Sequence, residues 1–357
     1  MSARPAGIQE ATARVVVRAE ARHLHHAPGG GFRNPWPGSE LPGVRDILRV
    51  VVEYWSQTRG SKPSRGMFPV SPPAIHYPRA REGHASATWV GHSTVLLQLG
   101  RLNLLTDPVF SQRAFPVQWL GQRRIMDPAV SLEALPPIDV VLQSHNHYDH
   151  LDRHAVEAIA DANPMATWVV PLGLGEGIQR WGARNVVELD WWNHAVIGGV
   201  RITATPARHF SGRGIGDRNR TLWCGFALDA DEARVFFAGD TAYHPDFSAI
   251  GARCGPFDLV MIPIGAYDPR WMMEFVHANP EEAVRIYQDL SAAHPNHQSP
   301  IMLGIHWGTF RLTIEAIDEP PRRAVARWRE LELDEDRLWI ARFGETRQLG
   351  RSIIRQY

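Results

Sequence analysis

A layered α/β fold is what the sequence predicts, and three observations predict it. Short apolar runs rich in β-branched residues recur along the 357 residues, each bounded by proline, glycine, asparagine or aspartate. Helical periodicity appears between several of them. Histidines and aspartates then stand directly after the ends of four such runs. In layered α/β folds, ligand-binding groups gather where strand ends converge. A chain of this length can bury a large core, as one big domain or two.

Residues 1–31 read as a flexible arm. They end in His23-Leu24-His25-His26-Ala27-Pro28-Gly29-Gly30-Gly31, and three glycines after a proline do not hold regular structure cheaply. A solvated tail is the expectation, with a metal-binding histidine tract as the alternative. Val44, Ile47, Leu48, Val51 and Trp55 follow helical spacing, which predicts a helix docked on the core. Its charges are balanced rather than basic, which speaks against a membrane-surface helix. The Ser-, Pro- and Gly-rich stretch from Ser56 to Ile75 reads as a connector.

Strands are expected at Ala87–Val90, Val95–Leu99 and Leu102–Leu105, with a turn at Gly100-Arg101 and closure at Asp107-Pro108. His92 lies between the first two, either near a site or as a structural histidine. Phe115–Pro128 reads as an irregular loop. Ile138–Leu142 is a buried strand entered through Pro136-Pro137, and a helix is expected from Asp152 through Ala158. Between them stands Gln143-Ser144-His145-Asn146-His147-Tyr148-Asp149-His150-Leu151-Asp152. His-x-His-x-Asp-His on a strand-to-helix loop can build two adjacent metal sites, because imidazole and carboxylate suit zinc and its neighbours.

Further strands are expected at Thr167–Val170, Val186–Leu189, Val200–Thr205, Arg234–Ala238, Leu259–Ile264 and Pro300–Ile305. Asn279-Pro280-Glu281-Glu282 opens a helix, with a capping residue, proline at the first position and acids in the first turn. His145, His147, Asp149, His150, His209, Asp240 and His306 all follow strand ends. Asp240 is the telling member, because an aspartate after Phe-Phe-Ala-Gly needs a charge to face. His84, His154, His194, His294 and His297 lack this context. His244 and His277 stand as substrate-contact or supporting candidates.

Composition narrows the function classes. Lysine plus arginine and aspartate plus glutamate both number 38, so no net field draws the chain to nucleic acid, and no long basic run suggests a nuclease. Two cysteines, Cys224 and Cys254, give no disulfide framework and fit a reducing compartment. No run of about 18 apolar residues is present to span a membrane, and the N-terminus lacks the apolar centre of a signal peptide. A soluble, cytoplasmic protein is expected.

The order His-x-His-x-Asp-His, His, Gly-Asp-Thr, His resembles the metallo-β-lactamase superfamily. Longer blocks are similar to the N-acylphosphatidylethanolamine-hydrolysing phospholipases D and their bacterial relatives. These include Phe32-Arg33-Asn34-Pro35-Trp36-Pro37, Gly91-His92-Ser93-Thr94, Leu105-Thr106-Asp107-Pro108, Glu188-Leu189-Asp190-Trp191-Trp192, Ile262-Pro263-Ile264-Gly265-Ala266-Tyr267 and Ile305-His306-Trp307-Gly308-Thr309-Phe310. The resemblance runs from Phe32 to near the C-terminus. It implies a four-layer αββα sandwich, with 32–357 as the hydrolase domain and 32–75 as its docking segment.

The same resemblance implies His145, His147 and His209 on one metal, Asp149, His150 and His306 on a second, and Asp240 bridging them. The expected cofactor is two zinc ions per chain, with manganese or iron compatible with a thiolate-free site. Such a pair would hold a bridging hydroxide that attacks phosphorus, oriented by Asp149, while His277 contacts a substrate phosphate or amide. The expected partner is a phospholipid or small phosphodiester, with peripheral membrane contact; a homodimer is compatible with the pattern. Apolar contact candidates are the Val44–Trp55 helix, Trp119-Leu120, and Trp271-Met272-Met273 with Phe275 and Val276. A lactonase or esterase is the alternative enzyme, and metal binding without turnover the alternative class. The stretch Ser211–Arg220 is more similar to the bacterial relatives than to the mammalian lipase, and Val276 stands where a polar neighbour is expected; both departures bear on substrate choice rather than chemistry.

Overall fold

The computed structural model describes residues 14–16, 24–38, 49, 52–54, 56, 63–214 and 216–350. In chain order the strands are β1 (Arg14–Val16), β2 (Ala85–Gly91), β3 (Thr94–Leu99), β4 (Leu102–Thr106), β5 (Val140–Leu142), β6 (Thr167–Pro171) and β7 (Asn185–Leu189). They continue with β8 (His194–Ile197), β9 (Val200–Thr205), β10 (Gly225–Asp229), β11 (Arg234–Phe237), β12 (Leu259–Pro263), β13 (Ile301–Ile305), β14 (Leu338–Trp339) and β15 (Thr346–Gln348). The helices are α1 (Arg153–Ala162), α2 (Gly175–Arg180), α3 (Phe247–Cys254), α4 (Arg270–Met273), α5 (Pro280–Ser291) and α6 (Glu319–Glu330).

The strands form two mixed sheets. One runs β15-β2-β3-β4-β5-β6-β7 and the other β1-β8-β9-β10-β11-β12-β13-β14. Alternation along the strands builds the layers. In the first sheet Ala87, Trp89, Val95, Leu97, Leu104, Val140 and Leu142 enter the large core that also holds Phe226, Phe237, Val260 and Ile262 of the second sheet. The intervening residues Val90, Leu96, Leu105, Val141, Trp168 and Val170 turn outward to meet Ala155, Val156, Ile159 and Ile178 of α1 and α2. Helices α3, α5 and α6 add Phe247, Ile250, Val284, Tyr287, Leu290, Ala324 and Trp328 to the large core. The result is the expected αββα sandwich.

Local chemistry explains the helix starts beside the site. Asp152 caps α1 through its side chain, which accepts from the His154 N–H. Asn279 caps α5 in a reciprocal capping box with Glu282, and Pro280 stands in the first turn.

Two expectations about the N-terminal region need restating. The helix expected over Val44–Trp55 lies largely outside the described residues, although Arg49, Val52, Glu53, Tyr54 and Ser56 are helical where described. The arm expected to be flexible over 1–31 is ordered at its end. Gly30 and Gly31 take left-handed φ of 88° and 77°, and they close a turn in which Ala27 N–H donates to Gly31 O at 2.9 Å. A Cβ on Gly31 would sit 2.5 Å from the Asn219 carbonyl oxygen. His25 is 6% exposed and stacks on Trp191 at 4.2 Å. The glycines serve a tertiary turn, which composition alone does not distinguish from a loose linker.

One carbonyl links the two sheets beside the site. His92 O accepts from Trp89 Nε1 at 2.8 Å and from the His306 N–H at 3.1 Å, linking the β2–β3 turn to the end of β13. Trp89 is fully buried against Trp307 and Phe343, with ring centroids at 5.3 and 4.4 Å. Trp89→Ala is expected to lower stability by about 3–5 kcal/mol, as for other buried large-to-small changes. Urea unfolding followed by far-ultraviolet circular dichroism checks this, and a change under about 1 kcal/mol would contradict the packing role.

Candidate metal centre

All seven strand-end residues meet at one place. On one side, His147 Nδ1 lies 2.9 Å from His145 Nε2 and 3.1 Å from His209 Nε2. On the other, Asp149 Oδ2 lies 3.3 Å from His306 Nε2 and 3.5 Å from His150 Nε2. Asp240 Oδ2 stands between the two groups. It is 3.0 Å from His150 Nε2, 3.1 Å from His306 Nε2, 3.8 Å from His209 Nε2 and 3.9 Å from His145 Nε2. His277 joins from the α4–α5 connection, its Nε2 at 3.9 Å from the same oxygen. His244 does not join. It stacks between Trp36 and Phe247, at 4.3 and 4.0 Å.

The backbone explains why these side chains converge. His145 to His150 occupy the loop from β5 to α1, His209 follows β9, Asp240 follows β11 and His306 follows β13. Gly239 has φ of 61°, and a Cβ there would lie 2.7 Å from Ser144 Cβ and 3.0 Å from Cys224 O. Only glycine lets the chain ahead of Asp240 pass the histidine loop so closely. The Ser211–Arg220 segment covers this loop: Arg213 donates to Asn146 O at 2.8 Å and Leu151 O at 2.7 Å, and lies 3.9 Å over the Tyr148 ring.

Two residues outside the expected set belong here. Asp107, which the sequence reads only as the end of a hairpin, is a buried hub. Its Oδ2 accepts from His150 Nδ1 at 2.6 Å and from Ser144 Oγ, and its Oδ1 accepts from the Ser144 N–H at 2.6 Å and Gln143 Nε2 at 3.1 Å. His92, left open between two roles, has Nε2 at 3.1 Å from Asp149 Oδ2. The signal that could have found both is the one that marks Asp240: a polar residue just beyond the end of a strand. His209 is oriented from behind in the same way as His150, its Nδ1 donating to Val276 O at 2.8 Å.

The electrostatics fit bound cations. Burial lowers His92 and His147 to about 3 and His209 to about 4, leaving neutral imidazoles, the form that ligates metal. Burial would also lower His306, but Asp240 and Asp149 outweigh it and push it up to about 9. Burial would raise Asp240, yet His150, His306 and His277 hold its carboxyl well below the usual range. The pair of carboxylates thus favours positive charge in a largely buried site. Asp240 Oδ1 is buried without a hydrogen-bond partner. His147 Nδ1 lies about 3 Å from two other imidazole nitrogens, and lone pairs so placed repel unless a cation or proton lies between them. The donors are nitrogen and oxygen without thiolate, which suits zinc, manganese or iron. The clusters His145-His147-His209 and His92-Asp149-His150-His306 each bring donor atoms within 4.8 Å of one another.

A sandwich of two sheets carrying this cluster at its strand ends defines a metal-dependent hydrolase. Residues 102–307 match the family model described as the beta-lactamase superfamily domain, and the chain belongs to that family. Within it, the chain is 39% identical over 309 residues to an N-acyl-phosphatidylethanolamine-hydrolyzing phospholipase D of Caenorhabditis elegans, covering 81% of this chain and 84% of the relative. It is 40% identical over 313 residues to an uncharacterized protein of Mycobacterium tuberculosis, covering 87% and 81%. The metallo hydrolase Igni18 of Ignicoccus hospitalis shares the fold, with a TM-score of 0.55 at 18% identity over 75% of this chain and 99% of that one.

Asp107 generates a direct expectation. Asp107→Asn removes the charge that His150 Nδ1–H faces and should weaken zinc binding by about 10–100-fold, as for other partners that orient metal ligands. Equilibrium dialysis of folded, metal-stripped protein measures this, and unchanged affinity would make Asp107 a purely structural residue.

Proposed function

We propose that the chain is a dinuclear-metal phosphodiesterase of the N-acylphosphatidylethanolamine phospholipase D type. One observation carries the reading: a single oxygen, Asp240 Oδ2, lies between a three-histidine group and an Asp-His-His group. In this reading His145, His147 and His209 would hold one ion, Asp149, His150 and His306 would hold the other, and Asp240 would serve both. Zinc is the ion we favour, with manganese or iron compatible with the same donors. The likeness to the nematode phospholipase D supports a phospholipid diester as substrate.

When bound, two such ions bring the pKa of water to about 7 and neutralise charge on the oxygens of a phosphodiester. The chain's own residues orient and exclude. Burial would raise the Asp149 carboxyl, but His150, His306 and His92, each with a nitrogen within 3.5 Å of Oδ2, hold it well below the usual range, so it stays a carboxylate that orients the attacking water. His277 is buried beside Asp240 and is the group we assign to a phosphate oxygen or amide of the substrate. Phe210, at 4.4 Å from the His147 ring, shields that side from bulk water.

Apolar surface near the site supports a lipid. Trp119 is 76% exposed and Leu120 49%, and Phe115 of the same loop lies 6.1 Å from the Tyr148 ring. Trp271, Met272 and Met273 are half-buried, with Arg49 at 4.4 Å over Trp271. Among the described residues no helix is long and apolar enough to cross a membrane. We read a cytoplasmic enzyme that meets its substrate at a membrane surface.

Two experiments test this reading. Asp240→Asn keeps the shape but removes the bridging charge, so turnover of a phosphodiester should fall at least about 100-fold, with loss of bound zinc; near-normal turnover would place the bridge elsewhere. Rates on vesicle phospholipid should also exceed those on a soluble short-chain diester. Equal rates on both, together with turnover of lactones, would replace the lipid assignment by a soluble-substrate hydrolase.

A further inference from the structure

We propose that His25, His26 and Asp190 form a third divalent-metal site, apart from the centre above, that fastens the N-terminal arm to the end of β7. Asp190 directly follows β7, and its two oxygens face one imidazole each. Oδ1 lies 2.6 Å from His25 Nε2, and Oδ2 lies 2.9 Å from His26 Nε2. The donor atoms of the three residues all fall within 4.8 Å of one another. Two imidazole nitrogens and a carboxylate oxygen form a set that suits zinc, cobalt, nickel or copper better than magnesium or calcium.

The site is built, not a chance meeting of surface groups. Neighbouring residues of an extended chain point to opposite sides, so two adjacent histidines reach one carboxylate only because the backbone turns there. The turn is secured by Gly30 N–H to Ala27 O at 3.0 Å, Arg33 N–H to His25 O at 2.8 Å and the His26–Phe32 bridge. His25 is more than nine-tenths buried and stacks on Trp191, while the His26 ring meets Phe32 edge-on at 5.1 Å. Asp190 is fixed as well, since its Oδ1 also accepts from the Trp191 N–H at 2.8 Å. The His26 side chain keeps 39% exposure, so water reaches the remaining coordination positions.

Its consequence is positional. Beyond the turn, Phe32 N–H donates to Asn219 O at 2.8 Å, and Asn34 Nδ2 donates to His209 O at 2.8 Å. A metal on His25, His26 and Asp190 therefore holds the segment that braces the backbone of His209.

Zinc titration of the full-length, metal-stripped protein by equilibrium dialysis tests the proposal, with cobalt absorption as a second readout. Wild type should bind three equivalents per chain. His26→Ala, at a half-exposed position that leaves the core intact, should bind two, with the third weakened at least about tenfold, and should lose one component of the cobalt spectrum. Asp240→Asn should keep the third equivalent while losing metal from the central cluster. Equal stoichiometry and affinity in wild type and His26→Ala would overturn the proposal and show a hydrogen-bonded cluster only. That outcome, with metal still lost in Asp240→Asn, leaves the dinuclear reading standing. An equivalent that disappears in His26→Ala alone, with none sensitive to Asp240→Asn, sustains this site and removes the dinuclear one.

Discussion

A carboxylate buried where the ends of two sheets meet constrains everything around it. Asp240 is 3% exposed, and its ion-pair partners are imidazoles. An isolated carboxylate in such a place is strongly unfavourable. The surrounding histidines offset that only if they cannot turn away, and three of them are anchored through their other nitrogens. His150 is held by Asp107, His209 by the Val276 carbonyl, and His145 Nδ1 lies 2.9 Å from Ser144 Oγ. Each anchor belongs to a different element, so the charge at the centre is tied to β4, the α4–α5 connection and the loop after β5 together.

The backbone carries part of this load. His92, Asp107 and His306 all adopt left-handed φ, at 54°, 30° and 63°. Non-glycine residues so placed store strain on the order of 1–3 kcal/mol each and persist where their surroundings over-determine them. Here the surroundings are hydrogen bonds between the strained segments, since the His306 N–H donates to His92 O and the Ser144 N–H to Asp107. Strand ends that would otherwise splay are drawn into a common floor beneath the imidazoles.

How much of this was legible depended on sequence distance. Four members of the cluster lie within six residues on one loop, and spacing alone reveals them. His209, Asp240 and His306 are legible because each ends an apolar run. Asp107 reads as a turn residue because its partners, Ser144 and His150, lie 37 and 43 positions away. Strand β10 and helix α6, like β8 and α3, lie outside the elements the sequence predicts. Helix α6 opens with two prolines and carries four arginines, and among its residues only Pro320, Ala324 and Trp328 are buried, a thin apolar stripe. The glycines of the arm misled for the opposite reason: their composition signals freedom, while a turn packed on Asn219 uses that freedom up.

The hydrogen bond from His209 to Val276 separates two roles that one residue would otherwise combine. The anchor is a main-chain oxygen, so the imidazole stays aimed whatever side chain position 276 carries. The valine is half-buried, one residue from His277 and next to Phe275. Its size and polarity can therefore change through evolution as an independent variable, reshaping the neighbourhood of the site without disturbing the imidazole aimed from the same peptide unit. Position 276 is thus a place where the fold tolerates experiment.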